Sequence, residues 1–210
     1  SSLLEDAMYQ PFAGVYSTII IPNSCEDEEI RFYNLVQAIK YIYSSTFFKK
    51  AKNYLEATGN RMEEEKMGVI LQQLVGDEHE NYFYPNFSGV IRSYNYYPFG
   101  KATPQDGIVK LALGLGKTIV DSGVSLQYSP KYPTVYPQFG TMKDMLNKSQ
   151  TDFWALDLNC DQKKDIPGED IFLKQLQIEK AEKHGTLHFI ASTYDPENDI
   201  DSTSLSITVP

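Results

Sequence analysis

The chain has only two cysteines, three histidines and one tryptophan in 210 residues, and fewer positive charges than negative ones. Cys25 and Cys160 stand far apart, without the spacing of a disulfide framework or a zinc knuckle. Both thiols therefore read as inert, and a reducing, cytoplasmic setting is the default expectation. Lysine and arginine number 19 against 28 aspartates and glutamates, a formal net charge of -9. Phosphate-backbone binding needs clustered positive charge, so nucleic acid is excluded as a partner. No apolar run approaches the ~20 residues that a membrane span requires. The opening Ser1-Ser2-Leu3-Leu4-Glu5-Asp6 has no methionine and no signal or transit composition. Neither an internal repeat nor a low-complexity tract is found.

What the chain does have is ordinary globular material: 41% apolar and 22% charged residues, enough for a real core. It closes on Thr208-Val209-Pro210 in what still reads as a strand. Such ends predict a piece of a longer polypeptide. Val15 to Ile21 is β-rich and stops at Pro22-Asn23, so a strand is predicted there. Ser24 is the expected cap of a helix over about 26–44, with acidic residues in its first turn. Leu35, Ile39 and Ile42 mark its apolar face, which is expected to pack on a second helix over 47–57 together with Phe47.

The apolar run Met67 to Val75 predicts a buried strand, a turn at 76–81, and an antiparallel partner at 87–94. Further strands are expected at 107–113, 124–128 and 151–158, and a short helix at 141–147. Segments 172–180 and 186–194 flank Lys183-His184-Gly185 and predict a hairpin. Helices early and mostly antiparallel strands later make an α+β domain. It is read as one domain over 1–210, with a helical part over 1–60 and a mostly β part over 61–210.

The residues alone leave the chemistry open. Gly114-Leu115-Gly116-Lys117-Thr118 looks like the end of a phosphate-binding loop, but Leu111 stands where that motif needs its first glycine. A dinucleotide fingerprint fails at Ile119. A glycine turn closing a strand outweighs a ligand loop on spacing alone. The segment 11–18 has Gly14 followed by hydroxyls, which suits either an anion contact or a plain turn. His79, His184 and His188 lack metal spacing and read as surface residues. Trp154 and the tyrosines read as core and strand-face residues.

In order along the chain, however, Ser1-Ser2, Glu5-Asp6, Phe12-Ala13-Gly14 and Thr18-Ile19 precede Leu35 to Phe47 and then Lys50-Ala51-Lys52-Asn53-Tyr54. Gly68, Val69, Gln72, Leu74 and Val75 follow, then Ser88-Gly89-Val90 and the glycine turn at 114–116. Taken together, these blocks resemble the N-terminal nucleotide-binding domain shared by phosphoenolpyruvate synthase and pyruvate phosphate dikinase. The likeness covers residues 1 to about 128.

The resemblance implies a partial ATP-grasp fold with ATP between two lobes, and phosphoryl transfer by positioning and charge neutralisation, with Mg²⁺. Ser2, Gly14, Thr18, Gln72, Gly114 and Gly116 would then contact the nucleotide. In the full enzymes the phosphate passes to a histidine on a swinging domain and from there to pyruvate. None of the three histidines here has the Ser/Thr-His context of that carrier, so the chain alone is expected to be inactive. A homo-oligomeric full-length protein is compatible with this reading.

Three departures from the family pattern matter. The family's ATP-contacting lysine, and the arginine just before Ser-Ser, are expected upstream of Ser1. Lys117 stands where the family usually has a metal-binding glutamate, with Asp121 and Gln127 as candidate metal ligands. Arg92 stands where the family usually has an apolar aromatic, and supplies either a phosphate contact or a structural ion pair. Lys117 and Arg92 are the candidate catalytic cations. The competing readings are a catalytically degenerate nucleotide sensor or scaffold, and a Tyr-rich β module without ATP chemistry.

Overall fold

The computed structural model describes residues 14–58, 66–159, 163–195, 200–202 and 207–208. They form an α+β arrangement in which a helix pair precedes mostly antiparallel sheets. The chain divides into two compact units, residues 1–74 with 156–173 and residues 75–155 with 174–210.

The first unit holds α1 (Glu28–Ser45) and α2 (Lys49–Thr58). Asp27, rather than Ser24, caps α1: its carboxylate accepts from the Glu29 N–H at 2.8 Å. Glu28 and Glu29 follow in the first turn, where the positive end of the helix dipole favours them. Ala51 and Leu55 of α2 are one turn apart and bury against Val15 and Tyr16. The buried positions of α1 are the small or polar Asn34, Ala38 and Ser45. Leu35, Ile39 and Ile42 are half-buried, and Phe47 is 61% exposed. The expected apolar face with Phe47 is thus corrected: a 3.6-residue period shows which residues share a face but not which face finds a partner.

Asn34 holds the returning segment of the same unit. Its Oδ1 accepts from the Lys164 backbone N–H at 3.0 Å, and the neighbouring Tyr33 hydroxyl donates to Asp165 Oδ1 at 2.9 Å. Cys25 is disulfide-bonded, which overturns its reading as an inert thiol. The only other cysteine in the sequence, Cys160, lies outside the described residues.

The second unit is built on β1 (Asp77–His79), β2 (Tyr82–Tyr84), β3 (Ser88–Arg92), β4 (Ile108–Ala112) and β5 (Leu126–Tyr128), with most of β6 (Asp152–Asp157) and β7 (Leu173–Gln177), of which residues 156–157 and 173 fall in the first unit. β8 (Ala191–Asp195), β9 (Ile200–Ser202) and β10 (Ile207–Thr208) form a separate three-stranded sheet. Three short helices complete it: α3 (Lys117–Val120), α4 (Met142–Lys148) and α5 (Ile178–Lys183). One sheet has the order β1-β2-β6-β7 and another the order β3-β4-β5. In the latter, β4 pairs antiparallel with both neighbours. Its centre is apolar, with Val109, Ala112 and Leu126 buried. In the former, the buried Tyr84 and Phe153 rings meet at 4.8 Å.

Four expectations are corrected. Val15 to Ile21, expected as a strand, forms none. Met67 to Val75 is not a buried strand and does not pair with 87–94: Ile70, Leu71 and Val75 are 69%, 65% and 82% exposed. The β3 edge that was expected to meet it pairs instead with β4, from Ser88–Ala112 to Arg92–Ile108. The expected turn at 76–81 is itself a hairpin, β1–β2. Finally, 183–185 does not join two paired strands, because α5 intervenes after β7 and β8 pairs with β9 and β10. Apolar alternation locates extended segments, but register and partner are set by long-range packing.

Candidate functional site: the glycine turn after β4

The turn 113–116 leaves the central strand of the β3-β4-β5 sheet and is suspended from the segment 150–154. Leu113 is fully buried. Its N–H donates to Gln150 Oε1 at 2.8 Å, and its carbonyl accepts from Gln150 Nε2 at 3.2 Å. The same Nε2 donates to the Asp152 carbonyl at 2.8 Å. Two residues on, the Leu115 N–H donates to the Trp154 carbonyl at 2.9 Å. Gly114 between them has φ +75, and a Cβ there would lie 2.7 Å from both Phe153 Cδ2 and the Trp154 carbonyl oxygen. Only glycine fits this conformation and this space. The turn is therefore a fixed element of the fold.

Gly116 opens α3, and a Cβ on it would sit 3.8 Å from Ser88 at the start of β3. Lys117 pairs with Asp121 one turn later, Nζ to Oδ2 2.8 Å, and lies over the Trp154 ring at 5.3 Å from its centroid. Its side chain is 18% exposed against 53% for Asp121. The Asp121 carboxylate is thus neutralised from one side. Gln127 lies in β5, paired in register with Lys110 of β4. Among the described residues, no group of three or more His, Cys, Asp or Glu side chains is arranged to hold a metal ion.

The other sequence candidates lie elsewhere. Arg92 is exposed at the end of β3. Its carbonyl lies 2.6 Å from where a Cβ on Gly107 would stand, so that glycine, φ +71, is required by close approach. Gly14 has φ +82 with open space around it. Thr18 and Gln72 are exposed in irregular segments. Ser2 lies outside the described residues. The structure gathers Gly114, Gly116, Lys117 and Asp121 within one short stretch of chain. Gly14, Thr18 and Gln72 belong to the other unit.

Sequence reasoning missed Gln150, whose glutamine side chain carries no pattern of its own. It also misread two histidines as surface residues. The His184 side chain is 3% exposed. Its Nδ1 shares a 2.7 Å hydrogen bond with the Tyr84 hydroxyl, and its ring stacks on His79 at 5.3 Å. Burial, then the neighbouring His184, depresses the His79 pKa below its usual 6.5. Glu80 pairs with Lys180, which holds its carboxyl below the usual range. This cluster fastens the β1–β2 hairpin to α5 and the turn after it. Nothing in the spacing of His79 and His184, about a hundred residues apart, announces it.

Comparison with known families identifies the class. Residues 1–185 match the model of the pyruvate phosphate dikinase, AMP/ATP-binding domain. The chain belongs to that family, and the α+β architecture is consistent with its ATP-grasp-like fold. It therefore carries an ATP-binding domain of a family of kinase-type phosphotransferases. Comparisons with curated proteins and with solved structures give no match. No helix among the described residues is long and apolar enough to cross a membrane.

Proposed function

We propose that the chain is the nucleotide-binding part of a phosphoenolpyruvate synthase-like phosphotransferase. It binds ATP with Mg²⁺, and the phosphate leaves through a carrier histidine on another domain and then reaches pyruvate. The observation that carries this reading is the family match over residues 1–185. The packed turn 113–116 supports it locally. Its backbone is held rigid before any ligand arrives, and preorganised backbone with a nearby cation suits a phosphate chain. Gly114 and Gly116 present that backbone, and Lys117 supplies the charge. The roles of Gly14, Thr18, Ser2 and Gln72 as nucleotide contacts, and of Arg92 as a second cation, rest on the family resemblance alone. Asp121 and Gln127 would offer oxygens to Mg²⁺ once Lys117 turns to phosphate. The chain by itself binds nucleotide but makes no phosphoenolpyruvate.

The Lys117–Asp121 ion pair favours a second reading, a nucleotide sensor that has lost the metal-dependent step. A lysine in place of an acidic ligand repels a cation and attracts a polyanion. At ~4 Å and an effective dielectric of about 20, one such contact is of order 4 kcal/mol before desolvation. Calorimetric titration with ATP, with and without Mg²⁺, separates the readings. For the phosphotransferase, Lys117→Ala weakens ATP binding and Lys117→Glu increases its Mg²⁺ dependence. For the sensor, Lys117→Ala weakens binding and Lys117→Glu abolishes it whether or not Mg²⁺ is present. Unchanged affinity in both variants makes Lys117 a structural lysine and contradicts both.

A further inference from the structure

We propose that Gln150 is the positioning residue of the nucleotide site, holding the 113–116 turn in its phosphate-binding conformation. The inference rests on the nucleotide reading above and adds to it the residue that shapes the turn. The pairing of β4 stops just short of the turn. Its last register partner on β3 is Ser88, opposite Ala112, and its last partner on β5 is Leu126, opposite Leu111. Leu113 lies beyond both ladders and yet is completely buried. A buried backbone N–H and carbonyl must each find a partner. Gln150, itself only 5% exposed, meets both groups with one side-chain amide, as a neighbouring strand would. Its Nε2 is anchored in turn by the Asp152 carbonyl. The amide thus extends the sheet by one residue, to the point where the chain must turn through Gly114 to Gly116.

The chemistry of the amide is specific. The site needs one acceptor, for the Leu113 N–H, and one donor group with two protons, for the carbonyls of Leu113 and Asp152. Only an amide side chain offers both. Glutamate at 150 would keep the acceptor but set a carboxylate against two carbonyl oxygens. Methionine would keep the volume and lose every bond. In either variant the turn is released at its first residue, while Leu115 and Gly114 remain docked on β6.

The test compares ATP with adenosine, because displacing a phosphate-holding turn affects only the ligand that carries phosphates. Calorimetry on the full chain should give ATP affinity at least about tenfold weaker for Gln150→Glu and Gln150→Met, with adenosine affinity unchanged within about twofold. Circular dichroism establishes that each variant is folded. A merely structural glutamine would lower stability and leave the ATP-to-adenosine ratio of the folded protein as in the wild type, which overturns the proposal. Should both variants fail to fold, amide exchange in the unmodified protein decides. The Leu113 amide should be slowed further by ATP and not by adenosine, and equal effects of the two ligands overturn the proposal. A wild-type chain that binds no ATP refutes the nucleotide reading itself, an outcome distinct from a Gln150 variant that binds normally.

Discussion

Replacing Gly114 by alanine separates backbone strain from crowding at the turn. The residue has φ +75, and its new Cβ would approach Phe153 Cδ2 and the Trp154 carbonyl oxygen to 2.7 Å and Phe153 Cβ to 3.1 Å. Left-handed backbone costs a non-glycine residue roughly 1–2 kcal/mol. Forcing a methyl into a packed core costs about 1–3 kcal/mol more. The lower entropy of the unfolded alanine chain returns about 0.4–1 kcal/mol. Gly114→Ala should therefore destabilise the protein by roughly 2–4 kcal/mol. Two controls grade the argument. Gly100 has φ +59 with nothing within 4 Å of a Cβ, so Gly100→Ala should cost about 1 kcal/mol from strain alone. Gly168 has neither a positive φ nor a neighbour within 4 Å, so Gly168→Ala should lie within about 0.5 kcal/mol of wild type. Urea unfolding followed by tryptophan fluorescence reads all three, since Trp154 lies on β6 beside the turn. Equal midpoints for Gly114→Ala and Gly168→Ala would refute the tight docking of the turn on β6.

Three further outcomes follow from the same structure. His79 has a depressed pKa in the folded state, so the unfolded chain binds more protons near pH 6 and stability is lost as pH falls below about 6.5. His79→Gln should remove that part of the slope, and identical pH profiles of unfolding free energy would contradict the burial of its ring against His184. Asn34 is 1% exposed and accepts from the Lys164 N–H; Asn34→Ala should cost about 1–3 kcal/mol. Asn34→Asp, which keeps the acceptor, should cost less, and the reverse order in denaturant titration would speak against that bond. Cys25 should resist alkylation in denaturant until a reductant is added, as peptide mass mapping will read; labelling without reductant would exclude the disulfide.

Local chemistry was readable from the sequence wherever one residue type has one structural use. The acidic start of α1, the glycine turn ending β4 and the short helix after Thr141 all appear within a few residues of where the patterns set them. Partnership was not readable. The 67–75 run has the composition of a buried strand, but composition does not say that 88–92 pairs with 108–112 instead. His184 looked like a turn residue because it is one, and its burial comes from a hairpin a hundred residues away. The glycine turn was recognisable as a turn, and its use as a nucleotide loop is what the family resemblance implies. Gln150 was invisible because its role is to complete a backbone ladder, a need that exists only once β4 is seen to end at Ala112.

Amide hydrogen exchange with and without Mg²⁺-ATP tests the central claim most directly, because it reads binding and its location together. Exchange is expected to slow on ATP addition in peptides covering 113–121, with the β8–β9–β10 sheet unaffected. An exchange pattern that ATP leaves unchanged throughout the chain, at concentrations of about 1 mM, would contradict it.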